Sequence, residues 1–238
     1  MSTPVLASPP EIVELCGEEE MQMTFQVVMF GIDGLLVGSD RKAGTRTFDG
    51  RDYQFQPGSK FCENPQRTVL CLFAGGPQAK AIADIITVEC NPSESNLAAW
   101  HCCLRVAAEK IKARSVGDEI LVIRPSIPDI VLVSKRDTDA TVGPPLTEKL
   151  CIGVYAHSRF LVEHFWRPAP LSELRKLMLV TLAYAAKERP ESVGDGFDIF
   201  TIKAGKYEME TVLPDALEVA RASNQMSEAI GGVLFPVS

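Results

Sequence analysis

Two short apolar runs joined by an Asp-Gly turn constrain this chain more than any other feature of it. Thr24–Gly31 (TFQVVMFG) and Leu35–Ser39 (LLVGS) flank Ile32-Asp33-Gly34. An Asp-Gly pair between apolar runs supplies the backbone geometry of a tight hairpin. The chain therefore enters an antiparallel sheet directly after a polar, Pro-rich stretch that ends in an acidic run at Glu18–Glu20.

The later pattern alternates strands with helices. Arg41–Ser59 is polar and Gly-containing without a period, which predicts a loop followed by short strand fragments. Thr68–Ala74 (TVLCLFA) reads as a strand, and Pro77 suits the first turn of a helix whose apolar face is Ala79, Ile82, Ala83 and Ile86. Leu97, Trp100, Leu104, Ala107, Ala108 and Ile111 predict a second helix that ends before Gly117. Glu119–Ile123 and Ile130–Val133 predict a strand pair, Asp137–Pro145 a surface loop, and Leu150–Ala156 another strand. Ser172 is the expected N-cap of a third helix that Pro190 ends. Two more strands follow, at Phe197–Lys203 and Tyr207–Val212, and the remainder has a helical pattern around Leu217, Ala220 and Ala222. Strands near both ends with helix pairs between them indicate an α+β layered domain.

Composition narrows the function classes. A net charge of −7 with no basic run longer than a dipeptide argues against a nucleic-acid surface. No apolar stretch approaches the roughly 20 residues that span a bilayer, and the N-terminus lacks the pattern of a secretory signal, so a cytoplasmic location is expected. The seven cysteines show no C-x-x-C pair, which fits free thiols, and His101, His157 and His164 have no metal-ligand spacing. Neither a cofactor nor a metal is expected.

The stretch TFQVVMFGIDGLLVGSDRKAG resembles the opening of proteasome β-type subunits, which are N-terminal-nucleophile (Ntn) hydrolases, in a bacterial proteasome-like branch. Threonine, strand, D-G turn, strand and a small-small-Asp triplet, here Gly38-Ser39-Asp40, follow in order. Gly58-Ser59-Lys60 is similar to the short strand that carries the family's lysine, and Ala74-Gly75-Gly76 to its oxyanion turn. Trp166-Arg167-Pro168 through Gly194-Asp195-Gly196-Phe197-Asp198-Ile199 is similar to the final helix and strand. The resemblance implies a four-layer αββα sandwich of two antiparallel sheets flanked by helices, with a leader at 1–23, an Ntn domain at 24–212 and a helical tail at 213–238.

By that resemblance Thr24 is the nucleophile, Lys60 the neighbouring cation with Lys42 as its rival, Asp40 its orienting carboxylate, and Gly75 the oxyanion donor. Glu191 stands where the family has an aspartate, while Gly153 and Gly194 stand near positions where it has serines. A threonine hydroxyl needs a base, and a free α-amine on the same residue, of ordinary pKa about 8, can supply it. Removal of residues 1–23 is therefore expected; the alternative is translation from Met23, whose loss would expose Thr24 directly. Because Met23 replaces the glycine usual before the nucleophile, efficient self-cleavage is not expected. The implied activity is peptide or protein hydrolysis in a homo-oligomeric ring, with any ATP-dependent unfoldase unassigned. The competing reading is a non-catalytic ring or scaffold subunit with the same fold.

Overall fold

The computed structural model describes residues 24–46, 53–112, 116–127, 129–136, 138–153, 156–190 and 192–213, together with 215, 216, 219, 221, 222, 224 and 225. The leader at 1–23, Glu191 and most of the tail lie outside the described residues. In chain order the elements are β1 (Gln26–Gly31), β2 (Gly34–Asp40), β3 (Lys42–Arg46), β4 (Tyr53–Pro57), β5 (Phe61–Glu63) and β6 (Leu70–Ala74). Then come α1 (Pro77–Glu89), α2 (Leu97–Glu109), β7 (Val116–Arg124), β8 (Asp129–Arg136), β9 (Asp139–Val142) and β10 (Lys149–Ile152). The series ends with α3 (Ala156–Phe165), α4 (Leu171–Glu188), β11 (Phe197–Lys203) and β12 (Lys206–Val212).

Alternation along the strands builds three apolar layers, because successive side chains of a strand point to opposite faces. In β1, Val27 and Met29 face the α3–α4 side and Val28 faces the other sheet. In β6, Leu70, Leu72 and Ala74 meet Val28 and Val37 in the middle layer, while Cys71 turns toward α1 and α2. The first sheet has the order β10-β1-β2-β11-β12 and the second β5-β6-β7-β8-β9, with every described pairing antiparallel. The result is an αββα sandwich. No helix among the described residues is long and apolar enough to cross a membrane.

Three local expectations are corrected. Asp139–Val142 is not a loop but the edge strand β9, whose pairing with β8 runs from Val133↔Val142 to Arg136↔Asp139. A fourth helix, α3, occupies Ala156–Phe165, and the strand before it ends at Ile152. Ser172 does not cap α4; it is exposed, and Asp33 of the hairpin turn accepts the Leu171 N–H at 2.8 Å instead. A side chain distant in sequence thus satisfies a donor that the helix leaves unpaired.

Small residues set the distance between α4 and the first sheet. A Cβ at Gly38 would stand 2.9 Å from Met178 Sδ, and one at Gly31 would stand 2.6 Å from Leu171 Cδ2. In the tail, Val219 and Ala222 are buried in the α3–α4 core, so these two residues belong to their own domain's packing.

Candidate active site

The first sheet delivers one half of the site. Thr24 lies two residues before the start of β1 and is 5% exposed. The β1–β2 register of Gln26↔Ser39 brings Phe25 opposite Asp40, the last residue of β2. Accordingly the Asp40 N–H donates to the Phe25 carbonyl at 3.1 Å, and the Phe25 N–H donates to Asp40 Oδ1 at 2.8 Å. Asp40 Oδ2 accepts the Lys42 N–H at 3.1 Å. The carboxylate is thereby fixed against the backbone one residue beyond Thr24.

The second sheet delivers the other half. Lys60 sits just before β5, its carbonyl accepting the Phe73 N–H of β6 at 3.0 Å. Its Nζ contacts both Asp40 oxygens, at 3.0 and 2.8 Å, and the two side chains are almost wholly buried. Burial pushes the Lys60 ammonium below the ordinary lysine value, opposed chiefly by the Asp40 carboxylate and also by that of Asp195. It likewise pushes Asp40 up, opposed by Lys60 and by the Phe25 and Lys42 N–H groups. Lys42, the rival cation, is directed elsewhere: its Nζ donates to the Pro190 carbonyl at 2.5 Å.

Gly75 joins β6 to α1 with φ +127 and is exposed. A Cβ there would come within 2.3 Å of Asp118 Oδ1, the same atom that accepts the Gly76 N–H at 3.0 Å. Gly76 is the N-cap of α1 and contributes no side chain, so the Asp118 carboxylate of β7 anchors this turn at the helix N-terminus. Gln26 ties it to the first sheet, its Nε2 donating to the Phe73 carbonyl at 3.0 Å. Gly75→Ala is expected to cost about 1–3 kcal/mol from backbone strain alone, plus displacement of Asp118. Urea unfolding checks this, and Asp118→Ala in the same chain should recover only the contact part.

Of the five residues singled out from sequence, Asp40 and Lys60 meet directly, Thr24 is the chain neighbour of Phe25, whose N–H Asp40 accepts, and Gly75 lies one residue past β6, the strand that bonds Lys60. Glu191 lies outside the described residues. Of the serine-less positions, Gly194 has φ +143 and nothing within 4 Å of where a Cβ would be, and Gly153 has φ +102. Sequence reasoning gave no role to Gln26, Asp118 or Asp195. Asp195 has φ 57 between Gly194 and Gly196, and the Arg41 N–H bonds the carbonyls of both neighbours at 3.2 and 3.1 Å, which holds the loop beside Asp40. Both aspartates follow a glycine, a pairing that turn rules assign to surface loops.

Compared by sequence, the chain matches no family model and no curated protein. Among solved structures, it is similar to a (Gly-1) mutant of Anbu from Hyphomicrobium sp. strain MC1, with TM-score 0.67 and 17% identity over 90% of this chain and 98% of that chain. The fold matches that of Anbu. Anbu from Yersinia bercovieri, described as an ancestral beta-subunit, gives TM-score 0.63 at 14% identity over 90% of this chain and 97% of that one. A helical assembly of the Anbu complex from Pseudomonas aeruginosa gives 0.61 at 14% identity with the same coverage. These findings correct the family named from the motifs, since the solved structures found to be similar are Anbu proteins, a family distinct from proteasome β-type subunits. The physical reason is that the threonine, D-G turn and Gly-Ser-Asp series belongs to the opening hairpin of a proteasome-like fold that both share, so it carries the fold and not the branch.

Proposed function

We propose that this chain is an N-terminal threonine hydrolase of amide bonds in peptides or proteins, with Thr24 as nucleophile once its α-amine is free. The observation that carries the reading is the buried Asp40–Lys60 pair, hydrogen-bonded to the Phe25 N–H one residue from Thr24. A cation placed there favours the alkoxide character of the hydroxyl and the neutral form of the amine. The amine takes the hydroxyl proton, the oxygen attacks the amide carbon, and the Gly75 N–H receives the oxyanion, a contribution of about 3 kcal/mol in comparable sites. On collapse the C–N bond breaks, the proton held by the α-amine passes to the leaving nitrogen, and an acyl-threonine ester remains. Water, activated by the same α-amine, then releases the acid. An amide-linked Thr24 has no such base, which is why residues 1–23 must be absent from the active form.

The pH dependence follows from the two charges. The active form has a neutral α-amine and a charged Lys60, so kcat/KM should rise through the amine pKa and fall through that of Lys60. The first should lie below the ordinary α-amine value of about 8, because the neighbouring cation disfavours a second positive charge. The second should lie below 10.5, because Lys60 is buried. Lys60→Gln is expected to move the acid limb up by about 1 unit and abolish the alkaline limb, measured as kcat/KM between pH 5 and 10.

Self-association belongs to the same proposal, supported by the description of the Pseudomonas aeruginosa Anbu structure as a helical assembly. A non-catalytic scaffold subunit is the second reading, favoured by glycine at positions 153 and 194. A chain beginning at Thr24, treated with a threonine-directed electrophile and weighed intact, separates the two. One adduct on Thr24, absent from the full-length chain, supports the hydrolase. No adduct on either form supports the scaffold.

A further inference from the structure

Away from this site, α1 and α2 bring two thiols into contact. Cys90 is the C-cap residue of α1, its N–H bonded to the Ile86 carbonyl at 3.1 Å, and it is 4% exposed. Cys103, near the middle of α2, is half-buried, and its Sγ lies 3.0 Å from Cys90 Sγ. About 1 Å of closure separates this contact from the disulfide length of about 2.05 Å. Glu89 and Lys110 form an ion pair across the same two helix ends. Cys90 also lines a cleft of about 460 Å³ bounded by Asn64, Thr87 and Pro92. Cys102 is exposed, and adjacent helix positions are about 100° apart around the axis, so the two neighbouring cysteines present different faces.

We propose that Cys90 and Cys103 form an oxidation site that takes small hydroperoxides and closes to a disulfide joining α1 to α2. The Cys103 thiolate attacks the hydroperoxide, the O–O bond breaks, and the departing alkoxide takes up a proton as the alcohol, or as water when the oxidant is hydrogen peroxide. Cys103 is left as a sulfenic acid. The Cys90 sulfur then attacks the Cys103 sulfur, the S–S bond forms, the S–O bond breaks, and the hydroxide leaves as water with the Cys90 proton. Two thiols lose two electrons and one hydroperoxide gains them.

The order of events follows from the surroundings. Burial pushes the Cys90 thiol up, aided by Cys103 and Glu89 and opposed by Lys110, which favours Cys90 as the second, resolving sulfur. Cys62 and Cys71 are also register partners, across β5 and β6, but Cys71 is 0% exposed and burial pushes its thiol far up. The bond would close a loop between residues 13 apart in sequence, raising the thermal midpoint by on the order of 5–10 °C.

The test is full-length protein treated with equimolar hydrogen peroxide, then digested without reductant by a glutamate-specific protease. Cleavage after Glu89, Glu94 and Glu109 places Cys90 on the peptide 90–94 and Cys103 with Cys102 on 95–109. The expected result is a disulfide joining these peptides that persists in Cys102→Ser, vanishes in Cys103→Ser and, together with the gain in thermal midpoint, is reversed by dithiothreitol. Far-UV circular dichroism confirms that each variant is folded. Peptides that stay unlinked after oxidation, or a link that vanishes in Cys102→Ser, would overturn the proposal.

Discussion

Hydrolysis of fluorogenic peptides by a chain beginning at Thr24 is expected to fall about 10⁴- to 10⁶-fold on Thr24→Ala. The size of the effect follows from how the two reacting groups are arranged. In the proposed mechanism both the attacking oxygen and its base belong to one residue, so alanine leaves the α-amine in place but removes the only bond-forming atom. What remains is the α-amine as a base for water and the electrostatic help of Lys60 and of the Gly75 N–H. Thr24→Ser keeps the hydroxyl and should retain activity within about 10-fold, since the loss is confined to the methyl group that restricts χ1. Equal activity of Thr24→Ala and the parent chain would remove Thr24 from the chemistry altogether.

Lys60→Ala is expected to cost about 3–5 kcal/mol of stability, read from the urea midpoint. Asp40 is 0% exposed, and its carboxylate is held by two Lys60 contacts and two backbone N–H groups. Removing the ammonium leaves that charge buried with only the peptide dipoles to offset it. The double change Asp40→Leu with Lys60→Met should recover most of the loss, because a buried ion pair can often be replaced by apolar side chains of similar volume at little cost. The same double variant should be inactive. Recovery of stability without recovery of catalysis is the signature of a pair retained for chemistry; a Lys60→Ala chain as stable as its parent would mean that water reaches Asp40.

Much of this was legible in the residues. The apolar runs either side of Ile32-Asp33-Gly34 are strong because both strands are central and covered on two faces, and helix spacing in α1 and α2 is equally clear because each buries one stripe. Edge strand β9 escaped notice for the opposite reason: Asp139–Val142 buries Ala140 alone, so its short run resembles a turn. The helix α3 was hidden by the apolar β10 before it, which made one run of two elements. At the site, short-range motifs carried Asp40 and Lys60 to within bonding distance across a polar segment of no evident period. Asp118 and Gln26 could not be found that way. Each serves a group more than 40 positions away in the chain, and no local pattern distinguishes such a carboxylate or amide from one facing solvent. The family assignment failed at the same boundary, since the hairpin is set by fold-wide constraints and the branch by residues outside it.

Thr24 and Asp40 come from one sheet while Lys60 and Gly75 come from the other. The two halves are held together only across the middle apolar layer, so the proposed site is complete only when the two sheets are packed face to face. On the proposed reading, a chain only half condensed would have no complete site, and any loosening of the sandwich would separate Thr24 and Asp40 from Lys60 and Gly75.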